Sequence, residues 1–247
     1  MVSGKNIVIT GCLQGIGKET LRVFAEHGAS VFACSYKETE EFDAFCKKLA
    51  EDNCVSVFPI YFDMMDETSI KAAAREIQLH RIPIDGLVNI AGINKDAYFG
   101  MIRTQDMLDT FTVNVFSQII FTQYIVKLMQ RSNTKGSVVF TSSVSAIDGN
   151  AGQTVYAASK AALIGAMRTM ALELGPHGIR VNAVAPGVIS SPMTDKLDPE
   201  LLKRKIDLMD IPRIGSASEV ANTYMFLMSE LSSHVSGEII RVDGGIK

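Results

Sequence analysis

The sequence predicts an α/β protein whose core is a doubly wound, mainly parallel β-sheet flanked by helices. Short runs of apolar and β-branched residues recur along the 247 residues, and helical patterns of ten or more residues separate them. Strands that alternate with helices need crossover connections, which produce parallel strands covered on both faces. A glycine-rich turn directly after the first run is also typical of this class.

The first half of the chain contains four strand–helix pairs. Every residue from Ile7 to Thr10 is β-branched, which favours a strand, and the glycines that follow open an amphipathic helical pattern. The next three runs are short and largely apolar, which is typical of strands buried on both faces. The predicted strands are 7–10, 30–34, 55–60 and 85–90, and the predicted helices are 15–27, 38–51, 66–80 and 105–130.

The second half continues this alternation and then departs from it. Strands are predicted at 136–141 and 179–184, on either side of a helix at 154–174. Residues 186–218 contain four of the seven prolines and no strand pattern, and a long insertion of this kind is typical of a substrate lid. Because no linker or repeat interrupts the chain, we expect 1–247 to form a single domain that includes this lid.

Composition and charge exclude several function classes. The chain has 24 basic and 27 acidic residues, and its net charge of −3 leaves no basic footprint for nucleic acid. No apolar run approaches the roughly 18 residues of a membrane span, and the amino terminus lacks the apolar core of a signal peptide. The four cysteines are not spaced as zinc ligands or as a disulfide framework, which predicts no metal and a reducing, cytoplasmic compartment.

The glycine-rich turn at 10–17 lies where the first predicted strand meets the first predicted helix. Glycines allow a tight turn there and let backbone N–H groups approach a pyrophosphate, whose charge the helix amino terminus favours. A turn chosen only for helix-to-strand packing is the alternative. The position at the start of a βαβ unit favours a dinucleotide site.

The residues after the second predicted strand bear on the choice of dinucleotide. An acidic side chain there would bind the ribose hydroxyls of NAD and repel the additional phosphate of NADP. The sequence has Ser35, Tyr36 and Lys37 instead, and a hydroxyl with a cation suits a 2′-phosphate better, so we expect NADP(H) to be favoured over NAD(H). The alternative is that Lys37 is only a solvated charge at the start of a helix. The acidic residues that follow it weaken the local positive field.

A tyrosine and a lysine lie four residues apart within a predicted helix. Tyr156 and Lys160 therefore share one helix face, with the phenol beside the ammonium. A neighbouring cation favours the phenolate, so we expect the pKa of Tyr156 to fall from about 10 toward working pH, where a proton passes in either direction. Taken alone, such a pair is usually a surface coincidence.

Three further polar residues give the pair its significance. Ser143 follows a predicted strand and Asn89 ends another, and ligands gather at this carboxyl edge of a parallel sheet. Asn114 is polar within an apolar helical stretch, and a buried amide needs partners. Each of the three has a structural alternative. Ser143 could be a helix cap, Asn89 could belong to a strand-end turn, and Asn114 could be a core amide whose hydrogen bonds are satisfied. Together these residues are what a carbonyl-reducing site requires.

An ordered set of motifs resembles the short-chain dehydrogenase/reductase family over essentially the whole chain, from Gly4 to Gly245. The resemblance implies a single-domain Rossmann-type fold. Those motifs are Thr-Gly-x-x-x-Gly-Ile-Gly at 10–17, Asn-x-Ala-Gly at 89–92, Asn114, Ser143 thirteen residues before Tyr156, Tyr-x-x-x-Lys at 156–160, Pro186-Gly187, and Val-Asp-Gly-Gly at 242–245.

The resemblance implies a role for each member of the site. Tyr156 would protonate a carbonyl oxygen and Lys160 would activate it and bind a ribose. Ser143 would orient the carbonyl, and Asn114 would hold a water in a relay to Lys160. The residues expected at the cofactor are Gly11, Gln14, Gly15, Ile16, Gly17, Ser35, Tyr36, Lys37, Asp63, Asn89, Gly92, Tyr156, Lys160, Pro186, Gly187, Ile189 and Ser191.

Within the family, the chain is most similar to the 3-oxoacyl-[acyl-carrier-protein] reductases, through motifs at 149–153, 211–215 and 236–238. This implies NADPH-dependent reduction of an acyl thioester, with an acyl carrier protein among the implied partners and fatty acid biosynthesis as the setting. Two docking cations of that group are replaced by His177 and by Thr134, which precedes Lys135. A dehydrogenase of a sugar, polyol or other small alcohol is the second interpretation, and a non-catalytic dinucleotide-binding protein is the third.

The helix that carries Tyr156 is apolar nearly all round, which suggests burial on two sides. One side would meet the sheet and the other a second subunit. A long neighbouring helix of the same chain is the alternative cover. Because members of the family that the chain resembles commonly form tetramers, this pattern predicts a homotetramer.

Overall fold

The chain folds around a seven-stranded parallel sheet with the order β3-β2-β1-β4-β5-β6-β7. The computed structural model describes residues 1–190, 194 and 198–246. Strand order reverses between β1 and β4, and a ligand crevice forms at the carboxyl ends of such strands. The strands are β1 (Asn6–Thr10), β2 (Ser30–Ser35), β3 (Val57–Tyr61), β4 (Gly86–Asn89), β5 (Ser137–Thr141), β6 (Arg180–Pro186) and β7 (Ile239–Val242).

Helices cover both faces of this sheet, which confirms the predicted doubly wound α/β class. Successive strand residues point to opposite faces, so Ile7 and Ile9 enter one apolar core while Val8 enters the other. Within the described ranges, no helix is long and apolar enough to cross a membrane. The helices are α1 (Gly15–Glu26), α2 (Glu40–Asn53), α3 (Glu67–Leu79), α4 (Thr104–Phe111), α5 (Ser117–Arg131), α6 (Ser145–Asp148), α7 (Thr154–Leu174), α8 (Pro199–Asp207) and α9 (Ala217–Met228).

The first core lies between the sheet and helices α1, α2 and α9, and the second lies between the sheet and α3, α5 and α7. Phe24 and Tyr224 are fully buried in the first core. Phe121 and Leu163 are fully buried in the second. The two cores fix both faces of the sheet and so hold the strand ends, which carry the polar residues, in register.

The helix predicted over 105–130 is divided in the structure. Helices α4 and α5 are separated by a π-helical turn, Thr112–Phe116, which contains Asn114. Such a turn inserts an extra residue into the helical ladder and is frequent at functional sites. The apolar pattern continues through the turn, so periodicity alone predicts one uninterrupted helix.

The sequence pattern does not predict helix α9 or strand β7. Strand β7 is short, and none of its four residues is fully buried. The described part of the predicted lid contains α8 and two isolated bridges, which pair Ile189 with Gly215 and Met209 with Ile246. Ser191, predicted at the cofactor, lies outside the described residues.

Candidate active site

Four polar side chains predicted to form the catalytic set come from three neighbouring elements. Ser143 follows β5, Tyr156 and Lys160 lie in the first two turns of α7, and Asn114 lies in the π-helical turn. A Cβ atom at Gly92 would lie 3.1 Å from Asn114 Oδ1 and 3.3 Å from Lys160 Nζ. The structure therefore brings the end of β4, the π-helical turn and α7 together at one edge of the sheet.

Lys160 is an almost fully buried amine at the end of β5. Its Nζ donates a hydrogen bond of 2.7 Å to the main-chain oxygen of Thr141. Burial lowers the pKa of Lys160 to about 8, and no carboxylate forms an ion pair with it in the described part of the chain. An ammonium has three donors, so two remain for other groups at this edge, such as ribose hydroxyls.

Tyr156 is half-buried, and its hydroxyl lies close enough to Ser143 for the serine to affect its pKa. Burial raises the pKa of Tyr156 to about 12, Ser143 opposes that shift, and the charge of Asp96 adds to it. The predicted lowering of this pKa is wrong for this structure, because the loss of hydration on burial outweighs any attraction to Lys160, whose Nζ lies 5.8 Å from the centre of the ring. The phenol is therefore protonated at neutral pH and is able to act as an acid.

The two serines after β5 have different partners. Ser143 Oγ accepts a hydrogen bond of 3.1 Å from the N–H of Ser145, which leaves its own proton for donation. Ser142 Oγ donates to the main-chain oxygen of Lys160 over 3.0 Å and is almost fully buried. Ser142 therefore supports α7, whereas the Ser143 proton stays available to another group.

The side chain of Asn114 is fully buried and joins two elements. Its Oδ1 accepts from the N–H of Ile93 over 2.8 Å. Its Nδ2 donates to the oxygen of Ile93 over 2.9 Å and to Ser159 Oγ over 3.0 Å. Both amide hydrogens are used within the protein, so the side chain positions the loop after β4 against α7.

The glycine-rich turn has the backbone that a pyrophosphate requires. Gly11 and Gly15 have φ angles of +77° and +55°, and a Cβ at Gly17 would lie 2.0 Å from the oxygen of Gly11. Gln14 precedes α1 without capping it through its side chain, and no acidic residue lies in the first helical turn. Free N–H groups and the helix dipole therefore fit a bound phosphate.

Polar groups at the ends of β2 and β3 lie beside this turn in the sheet. The buried Ser35 hydroxyl donates to the oxygen of Lys37 over 2.9 Å and accepts from its N–H over 3.2 Å. Tyr36 and Lys37 have exposed side chains, so they and not the Ser35 hydroxyl are open to a ligand. Asp63 is exposed, and one of its oxygens accepts from the N–H of Met65 over 2.8 Å.

Three residues predicted at the cofactor lie at or just after the ends of β4 and β6. Asn89 is fully buried and donates to Thr122 Oγ1 over 3.0 Å, which fixes the end of β4 to α5, and its buried Oδ1 has no hydrogen-bond partner among the described residues. Ile189 is buried against the Gly215 bridge. Gly187 lies at the end of β6, where a Cβ would come within 2.6 Å of Asp243.

Sequence reasoning missed several supporting residues. Thr10 Oγ1 accepts from the N–H groups of Ile90 and Ala91, at 3.0 and 3.1 Å, and so joins the glycine-rich turn to the loop after β4. The hydroxyls of Thr141 and Tyr224 lie 2.7 Å apart beneath the site. Thr10 belongs to the first motif, and its position at the end of a strand was the signal that could have indicated this supporting role.

Comparison with known proteins agrees with this geometry. A family model described as Enoyl-(Acyl carrier protein) reductase matches residues 11–247. A 3-oxoacyl-[acyl-carrier-protein] reductase of Thermotoga maritima is 40% identical over 245 residues, or 99% of this chain and 98% of that protein. An L-xylulose reductase of Caenorhabditis elegans is 36% identical over 243 residues, or 98% and 95% of the two chains.

A solved structure is also similar over nearly the full length. A 3-oxoacyl-[acyl-carrier protein] reductase with bound NAD from Brucella melitensis has a TM-score of 0.89 and 30% identity, and the match covers 99% of this chain and 91% of that one. The active-site geometry, the sheet order and these matches agree. The chain belongs to the short-chain dehydrogenase/reductase family, whose members are nicotinamide-dependent oxidoreductases that act on CH–OH and C=O groups.

Proposed function

We propose that this protein is an NADPH-dependent carbonyl reductase whose substrate is a 3-oxoacyl thioester, carried by an acyl carrier protein. One observation carries the reductase part of the proposal: a protonated Tyr156 phenol lies beside the Ser143 hydroxyl and shares a helix face with the buried amine of Lys160. The substrate class is supported by the name of the Thermotoga maritima relative.

A reduced nicotinamide, when bound, would supply the hydride that the carbonyl carbon needs. The protein's part is to orient the carbonyl oxygen and to deliver a proton to it. Ser143 donates a hydrogen bond to that oxygen, and the phenol of Tyr156 transfers its proton as the C=O bond becomes CH–OH. Lys160, which lies nearby with two spare donors, stabilises the phenolate that remains and binds the ribose.

The position of Asn114 supports a water relay that returns the proton. Both hydrogens of its amide are already used, so a water that needs a main-chain partner would be held by the π-helical turn, where the regular ladder is interrupted. Gly92 keeps the space between Asn114 and Lys160 clear. This water is the source from which Lys160 and then Tyr156 would be reprotonated.

Preference for NADPH rests on the end of β2. The exposed Tyr36 and Lys37 come directly after this strand, and the first carboxylate, that of the exposed Glu38, comes only after them. A cation that is open to solvent suits the 2′-phosphate of NADP better than the hydroxyls of NAD. The Brucella melitensis structure with bound NAD is the reason to measure both cofactors.

A dehydrogenase of a sugar, polyol or other small alcohol is the second candidate. The match to an L-xylulose reductase favours it, as does the small number of cations where a carrier would dock. At that corner, Lys135 and His177 are exposed, and a Cβ at Gly178 would lie 3.1 Å from Lys135 Cγ. This pair is a weaker basic patch than two arginines would form.

Initial rates separate the two candidates. The purified enzyme is assayed with NADPH and NADH against acetoacetyl and longer 3-oxoacyl thioesters, free and carrier-bound, and against a panel of ketoses and small ketones. The proposal expects the highest kcat/KM with NADPH and a thioester. A higher kcat/KM with a ketose would contradict the proposal and support the second candidate. A lack of turnover with every carbonyl compound would reject both.

The same chain would form one domain and assemble as a homotetramer in the cytoplasm. Support for assembly comes from α7, which buries Leu163 and Met167 in its own core but leaves Ala161, Gly165 and Leu172 exposed. Leu172 is 80% exposed, so helices of the same chain do not cover this face. Light scattering of the purified protein gives the mass directly, and a value equal to one chain would reject the tetramer.

A further inference from the structure

A continuous chain of hydrogen bonds connects the lid helix α8 to the catalytic serine. Lys205 Nζ donates to Asn150 Oδ1 over 3.0 Å, and Asn150 Nδ2 donates to Gln153 Oε1 over 2.8 Å. Ser145 Oγ donates to the same Gln153 oxygen over 2.9 Å. The N–H of Ser145 donates to Ser143 Oγ over 3.1 Å. Four bonds thus join a side chain of α8 to the hydroxyl that faces Tyr156.

The lysine sets the direction of every bond between α8 and Ser145. An ammonium is a donor only, so the amide of Asn150 must turn its oxygen toward Lys205 and its NH₂ toward Gln153. Gln153 must then turn its oxygen toward two donors, Asn150 Nδ2 and Ser145 Oγ. Among the described residues, Lys205 is the group that bonds to Asn150 Oδ1. Without it, nothing at that side of the amide fixes which of its two orientations Asn150 adopts.

The segment that contains Ser145, 145–153, is held from two sides. Its first part is fixed by an ion pair between Asp148 and Arg241 of β7, with 2.6 Å between the charged atoms. Its second part is held by Lys205, which bonds to Asn150, and by the N–H of Ala97, which donates to the main-chain oxygen of Gly152 over 2.9 Å. Helix α8 has no fully buried side chain, and in the portion of the molecule that is described, its only side-chain hydrogen bond to 145–153 comes from Lys205.

We propose that Lys205 is a positioning residue for carbonyl reduction, because it fixes, through Asn150 and Gln153, the turn at Ser145 that orients Ser143. This inference rests on the proposed function, since it assigns the orienting role to Ser143. Lys205 does not touch the reacting atoms in this account. Its effect is on the geometry of the serine and therefore on kcat, whereas the dinucleotide site lies on other elements.

Lys205→Met tests the inference against Lys203→Met, a matched change on the same helix at an exposed lysine without a hydrogen bond in the described structure. Lys205→Met is expected to lower kcat at least tenfold while the Kd for NADPH stays within twofold of wild type. Lys203→Met is expected to match wild type in both. Lys205→Arg, which keeps a donor-only side chain, is expected to recover most of the lost kcat.

Asn150→Asp separates orientation of the serine from simple attachment of the lid. The carboxylate keeps and strengthens the contact with Lys205 but cannot donate to Gln153, so kcat is expected to fall as it does in Lys205→Met. Wild-type kcat in Asn150→Asp, or equal kcat in Lys205→Met and Lys203→Met, would overturn the inference.

Amide hydrogen exchange provides a readout that does not depend on turnover. Peptides that cover 144–153 are expected to exchange at least threefold faster in Lys205→Met than in Lys203→Met or wild type, while peptides from β1 and α1 are unchanged. Equal rates at 144–153 would overturn the positioning role. If the wild type reduces no carbonyl compound, the proposed function fails, whereas this comparison still decides whether Lys205 holds the turn.

Discussion

Lys160 Nζ donates a 2.7 Å hydrogen bond to the main-chain oxygen of Thr141, the last residue of β5. The bond fixes the amine at the carboxyl edge of the sheet, one turn after Tyr156 on the same helix. Burial penalises the charged form of this amine, so it lowers the stability of the fold at any pH where it is protonated. Its titration is therefore a direct reporter on the site.

The first prediction concerns the pH dependence of stability. Burial lowers the pKa of Lys160 from 10.5 to about 8, so between these values the unfolded chain binds a proton that the folded chain has lost. The penalty is fully present below pH 8 and is relieved as the pH rises toward 10.5. Relative to Lys160→Met, the wild type should therefore gain up to about 3 kcal/mol in free energy of unfolding across this window.

Urea titrations of the wild type and Lys160→Met at several pH values from 7 to 10 measure this difference. Methionine does not titrate and has a similar length, so the contributions of all other titrating groups cancel when the two proteins are compared. A difference that stays constant with pH would show that the folded protein does not perturb the pKa of Lys160.

The second prediction separates the adjacent serines. Ser143→Ala removes the donor to the carbonyl oxygen, and kcat should fall about 10²–10³-fold, as for other losses of a single oxyanion donor. Ser142→Ala removes a buried bond to the main-chain oxygen of Lys160 and should lower the free energy of unfolding by about 1 kcal/mol, with a much smaller effect on kcat. Equal losses of kcat in the two variants would remove the special role of Ser143.

The third prediction tests the glycine-rich turn. A Cβ at Gly17 would lie 2.0 Å from a main-chain oxygen that cannot move without changing the turn, so Gly17→Ala should weaken NADPH binding at least tenfold. Gly100→Ala is the control, because no atom lies within 4 Å of the added Cβ. Fluorescence titration with NADPH gives both Kd values, and unchanged binding in Gly17→Ala would contradict the assignment of the phosphate site.

The fourth prediction concerns cofactor choice. Lys37→Glu places a carboxylate where the 2′-phosphate is proposed to lie, so kcat/KM with NADPH should fall at least tenfold while that with NADH changes little. Lys48→Glu alters the net charge by the same amount at an exposed position of α2 and should affect neither cofactor. A similar loss with both cofactors in Lys37→Glu would assign that lysine another role.

Much of the scaffold was predictable because its strands are buried on both faces. A run such as Val138 to Phe140 has few alternatives to a central strand, and the glycine-rich turn indicated where the first strand ends. Spacing within the motifs selects Ser143 over Ser142 as a prediction, and the structure gives the two serines different partners, Lys160 for Ser142 and Ser145 for Ser143.

The remaining features depend on contacts between distant segments. Asn89, for example, is hydrogen-bonded to Thr122, which lies 33 residues away in the chain. The direction of the pKa shift at Tyr156 depends on how deeply α7 is packed, which the spacing to Lys160 does not reveal. The π-helical turn at Asn114 likewise comes from its bonds to Ile93 and Ser159 and not from a change in the apolar pattern.

The most direct test of the account is the turnover of Tyr156→Phe, measured together with its affinity for NADPH. Phenylalanine keeps the ring but removes the acidic hydroxyl, so kcat should fall about 10²–10⁴-fold, while the Kd for NADPH and the melting temperature stay near those of the wild type. Wild-type kcat in this variant would contradict the central claim that the proton comes from Tyr156.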